Sequence, residues 1–232
     1  MGGWTGATIV TGGTGGLGLG VVRALVDAGH DVVVTWIAER ELERFPDDLR
    51  ERCRLERVDV TSEDSLAALV AGCEPRGVWA MVQLVGGYLD GAPVAGMDME
   101  QWDRQFALNT RSAALGLRAV LPGMVERGGG RAVAVGTRAA LRPFAGASAY
   151  AASKAAVIAL VGAASEEVKR AGVCVNAVLP SVIDTPANRA ASPDADPATW
   201  VRPEEIGAVI AFLCSPEASA VTGAAIPVYG KA

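Results

Sequence analysis

The chain predicts an α/β fold of the doubly wound kind, a parallel seven-stranded sheet with helices on both faces, in a single domain over residues 1–232. Three observations carry that expectation. Seven short β-branched or apolar runs alternate with longer helical patterns along the 232 residues. The strand runs are nearly continuous in Val, Ile, Leu and Ala, as in strands buried on both faces. No shift in composition divides the chain, and its length suits one α/β unit.

The elements follow in order. Ala7–Val10 is the first strand, and a helix near 17–28 follows it across a glycine-rich turn. Gly29 stands just past that helix, where a left-handed residue ends it, and Asp31–Thr35 is the second strand. A helix near 39–50 leads to the third strand, Leu55–Val60. Ser62, with Asp64 and Ser65 after it, caps a helix near 62–72. The fourth strand, Val78–Val85, precedes a long helix over 98–126. Ala132–Gly136 is the fifth strand, and a helix over 148–170 ends at Gly172 before the sixth, Val173–Leu179. Pro180–Trp200 is the least regular stretch, and a loop of that length usually has a task. It is expected to be a substrate lid over about 180–200. Pro203, Glu204 and Glu205 open the last helix, 203–214, and Ala225–Val228 completes the sheet.

Bulk properties exclude several classes. A net charge of −5 and the lack of any Lys/Arg run argue against a nucleic-acid partner. The longest apolar run, Ala155–Ala164, falls short of the roughly 18 residues that span a bilayer, and residues 1–25 lack the basic start of a signal peptide. Cys53, Cys73, Cys174 and Cys214 are scattered, so neither a disulfide framework nor a metal site is expected. A reducing cytoplasm is the expected setting. His30, the sole histidine, sits in the turn "DAGHDVVV" and reads as a surface residue.

Function begins with "TIVTGGTGGLGLG", Thr8–Gly20, which holds glycines at 12, 13, 15, 16, 18 and 20. At a first strand-to-helix turn such glycines let the backbone approach a pyrophosphate, which the helix N-terminus then stabilises. Two registers overlap: G-x-G-x-x-G through Gly13, Gly15 and Gly18, and T-G-x-x-x-G-x-G through Thr11, Gly12, Gly16 and Gly18. No G-K-[ST] follows, which excludes a triphosphate loop. The second decisive stretch is "SAYAASKAAVIAL", where Tyr150 and Lys154 stand i, i+4 on one helix face. A phenol titrates near 10. A cation about 4 Å away, at an effective dielectric near 20, supplies about 4 kcal/mol, enough to bring it toward neutrality. Lys154 is therefore expected to depress Tyr150 and make it a general acid–base.

With these residues in place the sequence resembles the short-chain dehydrogenase/reductase family over essentially its whole length, which implies a Rossmann fold. The resemblance selects the Thr11-Gly12-x-x-x-Gly16-x-Gly18 register and implies cofactor contacts from that loop, Gly13, Thr14 and Leu17 included. "RVDVT" places Asp59 and Val60 where the family meets the adenine, and "QFALNTRSA" places Asn109 at the family's proton-relay Asn. "NAVLPSVIDTP" makes Asn176 structural and puts Pro180, Ser181, Ile183 and Thr185 near the nicotinamide. Lys154 would also hold the nicotinamide ribose. The departures are equally readable. The family's N-N-A-G is Gln83-Leu84-Val85-Gly86 here, followed by Gly87, and its Pro-Gly is Pro180-Ser181. The catalytic Ser, thirteen residues before the Tyr, is Thr137, which keeps one hydroxyl donor and either polarises the carbonyl or merely ends a strand.

"GTRAAL" and "LPSVIDTPANRAASPDADPATW" resemble the dihydropteridine reductase-like branch, which implies a quinonoid acceptor as an alternative to a ketone. The second strand ends in Thr35, Trp36 and Ile37 without an acid, and Arg40 can reach a 2′-phosphate, so NADP(H) is favoured over NAD(H). Trp36 either packs on the adenine or fills a seam. Expected substrate walls are Gly87, Tyr88, Arg138, Phe144, Asn188, Arg189 and Trp200; the arginines either orient a polar substrate or are surface charges. The expected activity is hydride transfer to a carbonyl or quinonoid small molecule. The alternative is a non-redox member, a cyclase, isomerase or NADP(H) sensor. The apolar helices 98–126 and 148–170 imply a homodimer or homotetramer.

Overall fold

A computed structural model describes residues 6–89 and 91–231. Seven strands form one sheet in the order β3-β2-β1-β4-β5-β6-β7. They are β1 Ala7–Thr11, β2 Asp31–Trp36, β3 Cys53–Arg57, β4 Val78–Gln83, β5 Gly130–Val135, β6 Val173–Pro180 and β7 Ala225–Val228. Every pairing is parallel, from Ala7 beside Asp31 to Pro180 beside Val228. The chain runs outward from β1 in one direction to β3, then crosses back to β4 on its other side. The crevice at that switch point, above the strands' carboxyl ends, is where a doubly wound sheet takes its ligand.

Period-two alternation builds a core on each face. Ile9, Met81, Ala132 and Val175 point to one side, while Val10, Val82, Val133 and Val178 point to the other. The helices are α1 Gly16–Asp27, α2 Glu39–Glu43, α3 Asp47–Arg50, α4 Glu63–Ala71, α5 Met99–Phe106, α6 Ser112–Glu126, α7 Ser148–Val168, α8 Pro186–Ala191 and α9 Pro203–Leu213. Helices α1 and α9 touch backbone to backbone. A Cβ on Gly207 would lie 2.6 Å from the Gly20 carbonyl oxygen, which gives Gly20 a packing duty beyond the phosphate loop.

Several expectations need correction. The helix expected over 39–50 is two short ones, because Pro46 caps α3 and interrupts the run. The helix expected over 98–126 contains a π-turn at Ala107–Arg111 between α5 and α6. Strand β3 is shifted toward the N-terminus and half exposed, as an edge strand. The lid is less irregular than its composition: Thr185 accepts the Asn188 N–H at 3.3 Å and starts α8. His30 is buried rather than on the surface. Its Nδ1 lies 2.8 Å from the Thr8 hydroxyl, and burial lowers its pKa to about 4.

Candidate active site

Two clefts of about 620 and 570 Å³ open side by side above the strand ends and share Leu17, Leu84 and Gly86, so they form one groove. The first runs over the glycine loop. Gly12, Thr14, Gly16, Leu17 and Gly18 line it, opposite Thr35, Trp36, Asp59 and Val60, with Val85 and Thr185 toward the second cleft. Sterics separate the two glycine registers. A Cβ on Gly18 would lie 2.4 Å from the Gly13 carbonyl carbon, and one on Gly16 would lie 3.0 Å from Thr185. At Gly15 the nearest atom is an ordinary 3.4 Å away. The register through Gly13, Gly15 and Gly18 thus has a position that space leaves open, even though Gly13 is crowded at 2.8 Å by Val34, whereas Gly12, Gly16 and Gly18 are all tight.

Helix α1 starts at Gly16 with neither a side-chain cap nor an acidic residue in its first turn. Its free N–H groups, behind a loop without side-chain bulk, fit a dinucleotide pyrophosphate. Three expected cofactor residues stand elsewhere. Thr11 is buried at the strand end, its carbonyl accepting the Leu84 N–H. Gly13 packs beneath the loop against Val34 and Val22. Arg40 lies off the cleft, and the wall there belongs to Glu41, which the sequence reading missed. Thr14 donates its hydroxyl to Glu41 at 2.7 Å, and the Ala38 N–H reaches the same carboxylate at 3.3 Å.

The second cleft gathers Thr137, Tyr150 and Lys154 with Gly87, Tyr88, Arg138, Phe144, Pro180, Ser181, Ile183 and Asn188. Arg142 lines it too and was not foreseen. Trp200 does not: it is buried, anchoring the base of the lid beside the bridge from Ile183 to Val201. Arg189 is spent on a bidentate pair with Asp184 at 2.6 and 2.8 Å.

The Thr137 side chain is buried just past the end of β5, where its hydroxyl accepts the Ala139 N–H at 3.3 Å and, against the upward push of burial, draws the Tyr150 phenol's pKa downward. Lys154, only 5% exposed, donates from Nζ to the Val135 carbonyl at 2.6 Å. Burial brings its ammonium down to about 8. The expectation that Lys154 depresses Tyr150 is not met in this geometry. Burial dominates and raises the phenol, with only Thr137 drawing it back. The lysine's own charge is weakened by desolvation, and its proton is directed at a carbonyl. Tyr150 therefore keeps its phenolic proton.

Asn109 lines neither cleft. It lies within the π-turn, a distortion that recurs at functional sites, and is buried beneath the loop after β4. Its Oδ1 accepts the Gly87 N–H at 2.9 Å, while Nδ2 donates to the Gly87 carbonyl and to Ser153 Oγ. Gln105 acts alongside it, donating to the Gly87 carbonyl at 2.5 Å and accepting the Leu89 N–H at 3.0 Å. These two amides form a polar clamp at the altered N-N-A-G segment. At Gly86, φ is +152°, and an added Cβ would sit 2.6 Å from Asn109 Oδ1 and 2.8 Å from Lys154 Nζ.

A family model described as "Enoyl-(Acyl carrier protein) reductase" matches residues 12–230. The 3-oxoacyl-[acyl-carrier-protein] reductase of Vibrio cholerae is 31% identical, over 96% of this chain and 95% of its own. The cis-4-hydroxycyclohexanecarboxylate dehydrogenase of Sinomonas cyclohexanicum is 34% identical, over 96% and 94%. Among solved structures, a variant of actinorhodin polyketide ketoreductase with NADPH superposes with a TM-score of 0.88 at 29% identity, covering 99% of this chain and 98% of that one.

Proposed function

The chain belongs to the short-chain dehydrogenase/reductase family and is an NAD(P)-dependent oxidoreductase, and from that premise we propose that it reduces the carbonyl group of a small molecule through Tyr150. The single observation behind this reading is the convergence of Thr137, Tyr150 and Lys154 in the cleft that adjoins the glycine loop. When bound, the nicotinamide supplies the hydride. The chain's own residues handle the oxygen. Thr137 and Tyr150 together hold the carbonyl oxygen, and Tyr150, protonated at rest, gives it the proton as the carbon is reduced. Lys154 stands one turn behind on the same helix to restore that proton. Asn109 is a positioning residue whose side chain fixes Gly87; a relay there would run through the backbone of the π-turn.

A ketone or aldehyde is favoured over a quinonoid pteridine because the relatives named above act on oxoacyl, hydroxyacid and polyketide compounds. NADP(H) remains the preferred cofactor, supported by the NADPH-bound ketoreductase and by the absence of an acid in Thr35-Trp36-Ile37. Glu41 is the feature of the cleft that opposes a 2′-phosphate. A cytoplasmic setting is supported by four unpaired cysteines. A homodimer or homotetramer is supported by α7, whose apolar surface is only partly covered within the chain. Light scattering that found a monomer at micromolar concentration would remove the oligomer.

The decisive experiment follows nicotinamide absorbance with a panel of ketones, aldehydes and quinonoid dihydropterin, using NADPH and NADH in turn. Turnover that Tyr150→Phe abolishes supports the reductase. Tight cofactor binding with no turnover on any acceptor returns the weight to the non-redox alternative.

A further inference from the structure

We propose that the substrate is an anion: a ring-sized apolar carbonyl compound whose carboxylate or sulfonate is held by Arg138 and Arg142. This rests on the carbonyl-reductase reading and adds the substrate's charge to it. Among the described residues the second cleft is lined by three cationic side chains, Arg138, Arg142 and Lys154, and by no Asp or Glu. Lys154 is already committed to the Val135 carbonyl. Neither arginine makes an ion pair among the described residues, whereas Arg189 on the lid beside them is fully paired with Asp184. Two guanidinium groups facing a cleft without a counter-ion among the described residues form a receptor for an oxyanion, and their planar donors match a carboxylate or sulfonate.

Both side chains leave the same turn, because the Arg138 carbonyl accepts the Arg142 N–H at 2.9 Å. Arg138 is held from behind by the Tyr229 ring, 5.4 Å from its guanidinium carbon. It directly follows Thr137, so the anion site stands next in the chain to the group that meets the reacting oxygen. Between them the wall is aromatic. Tyr88 stands edge-on to Phe144 at 5.9 Å and to Tyr150 at 5.4 Å, yet Tyr88 and Phe144 are 47% and 55% exposed. Exposed aromatics inside a cleft call for an apolar body to cover them.

The test compares a matched pair, cyclohexanone and 4-oxocyclohexanecarboxylate, by kcat/KM, and titrates benzoate into the cofactor-loaded protein by calorimetry. The carboxylate is expected to be preferred by at least about tenfold, as a charge-assisted hydrogen bond would give. The Arg138→Gln/Arg142→Gln variant should shrink that ratio toward one, mainly through KM. Benzoate should bind the natural protein in a salt-sensitive way and bind the variant at least about tenfold more weakly. Equal use of both ketones, or benzoate binding indifferent to salt and to the two arginines, overturns the proposal. If neither ketone nor any acceptor of the wider panel is reduced although cofactor binds, the reductase reading fails instead; in every case the benzoate titration decides whether the anion site exists.

Discussion

The two halves of the groove carry opposite charge. Among the described residues, the charged lining along the glycine loop is Glu41 and Asp59, with no Lys or Arg; on the lid side it is Arg138, Arg142 and Lys154, with no Asp or Glu. Both halves face ligands that this reading makes anionic, so charge alone does not explain the pattern. The difference lies in who supplies the positive end. On the loop side the N-terminus of α1 offers backbone N–H groups to a pyrophosphate, and no lysine is needed. On the lid side the backbone is tied up in strand ends and a 3₁₀ turn, so any anion must be met by side chains.

The largest expected effect tests whether the chemistry belongs wholly to the basic half. Tyr150→Phe should lower kcat by about 10²–10⁴, while nicotinamide fluorescence still reports bound cofactor; a smaller drop would move the proton donor elsewhere. Next comes the buried ammonium. Lys154 is held at about 8, against an ordinary 10.5. Between those values the unfolded chain binds a proton that the folded chain does not, so stability rises with pH across that window, and below it the ammonium destabilises. Relative to Lys154→Met, the natural protein should gain roughly 3 kcal/mol of unfolding free energy between pH 7.5 and 10.5, measured by urea titration. A flat difference would mean that the ammonium is better solvated than its burial implies.

At the seam of the two halves, Gly86→Ala pushes on Asn109 and Lys154 at once. It should cost about 10–100-fold in kcat/KM, in line with a strained backbone and two displaced groups worth about 1–3 kcal/mol. Unchanged kinetics would show that the seam has slack. The smallest effect belongs to the acidic half. Glu41→Gln should raise the NADPH-to-NADH ratio of kcat/KM by about 3–10-fold, the scale of one partly screened charge. An unmoved ratio would mean that Glu41 faces the Thr14 hydroxyl only.

Much of this was legible beforehand because it is local. The glycine loop, the Tyr150–Lys154 spacing and the apolar run of each strand depend on neighbours within a few residues. Glu41 was not legible, because its place in the cleft depends on a capping contact at Ala38 and on Pro46 ending the run. His30 was misread for the same reason: its burial is decided by Thr8 on the adjacent strand, not by the turn in which it sits. Arg142 is exposed like any surface arginine, and only the turn after β5, which sets it beside Arg138, places it on the cleft wall. The expected depression of Tyr150 failed because spacing along a helix does not say where an ammonium points.

The π-turn at Ala107–Arg111 gives this helix a counting rule. Each residue in an α-helix advances the direction of its side chains by about 100°. A π-turn takes up one extra residue within a single turn, so removing a residue from that segment would restore ordinary α geometry and leave α5 and α6 nearly in phase. The extra residue therefore places the Asn109 amide at Gly87 beside that of Gln105 without turning one half of the helix against the other.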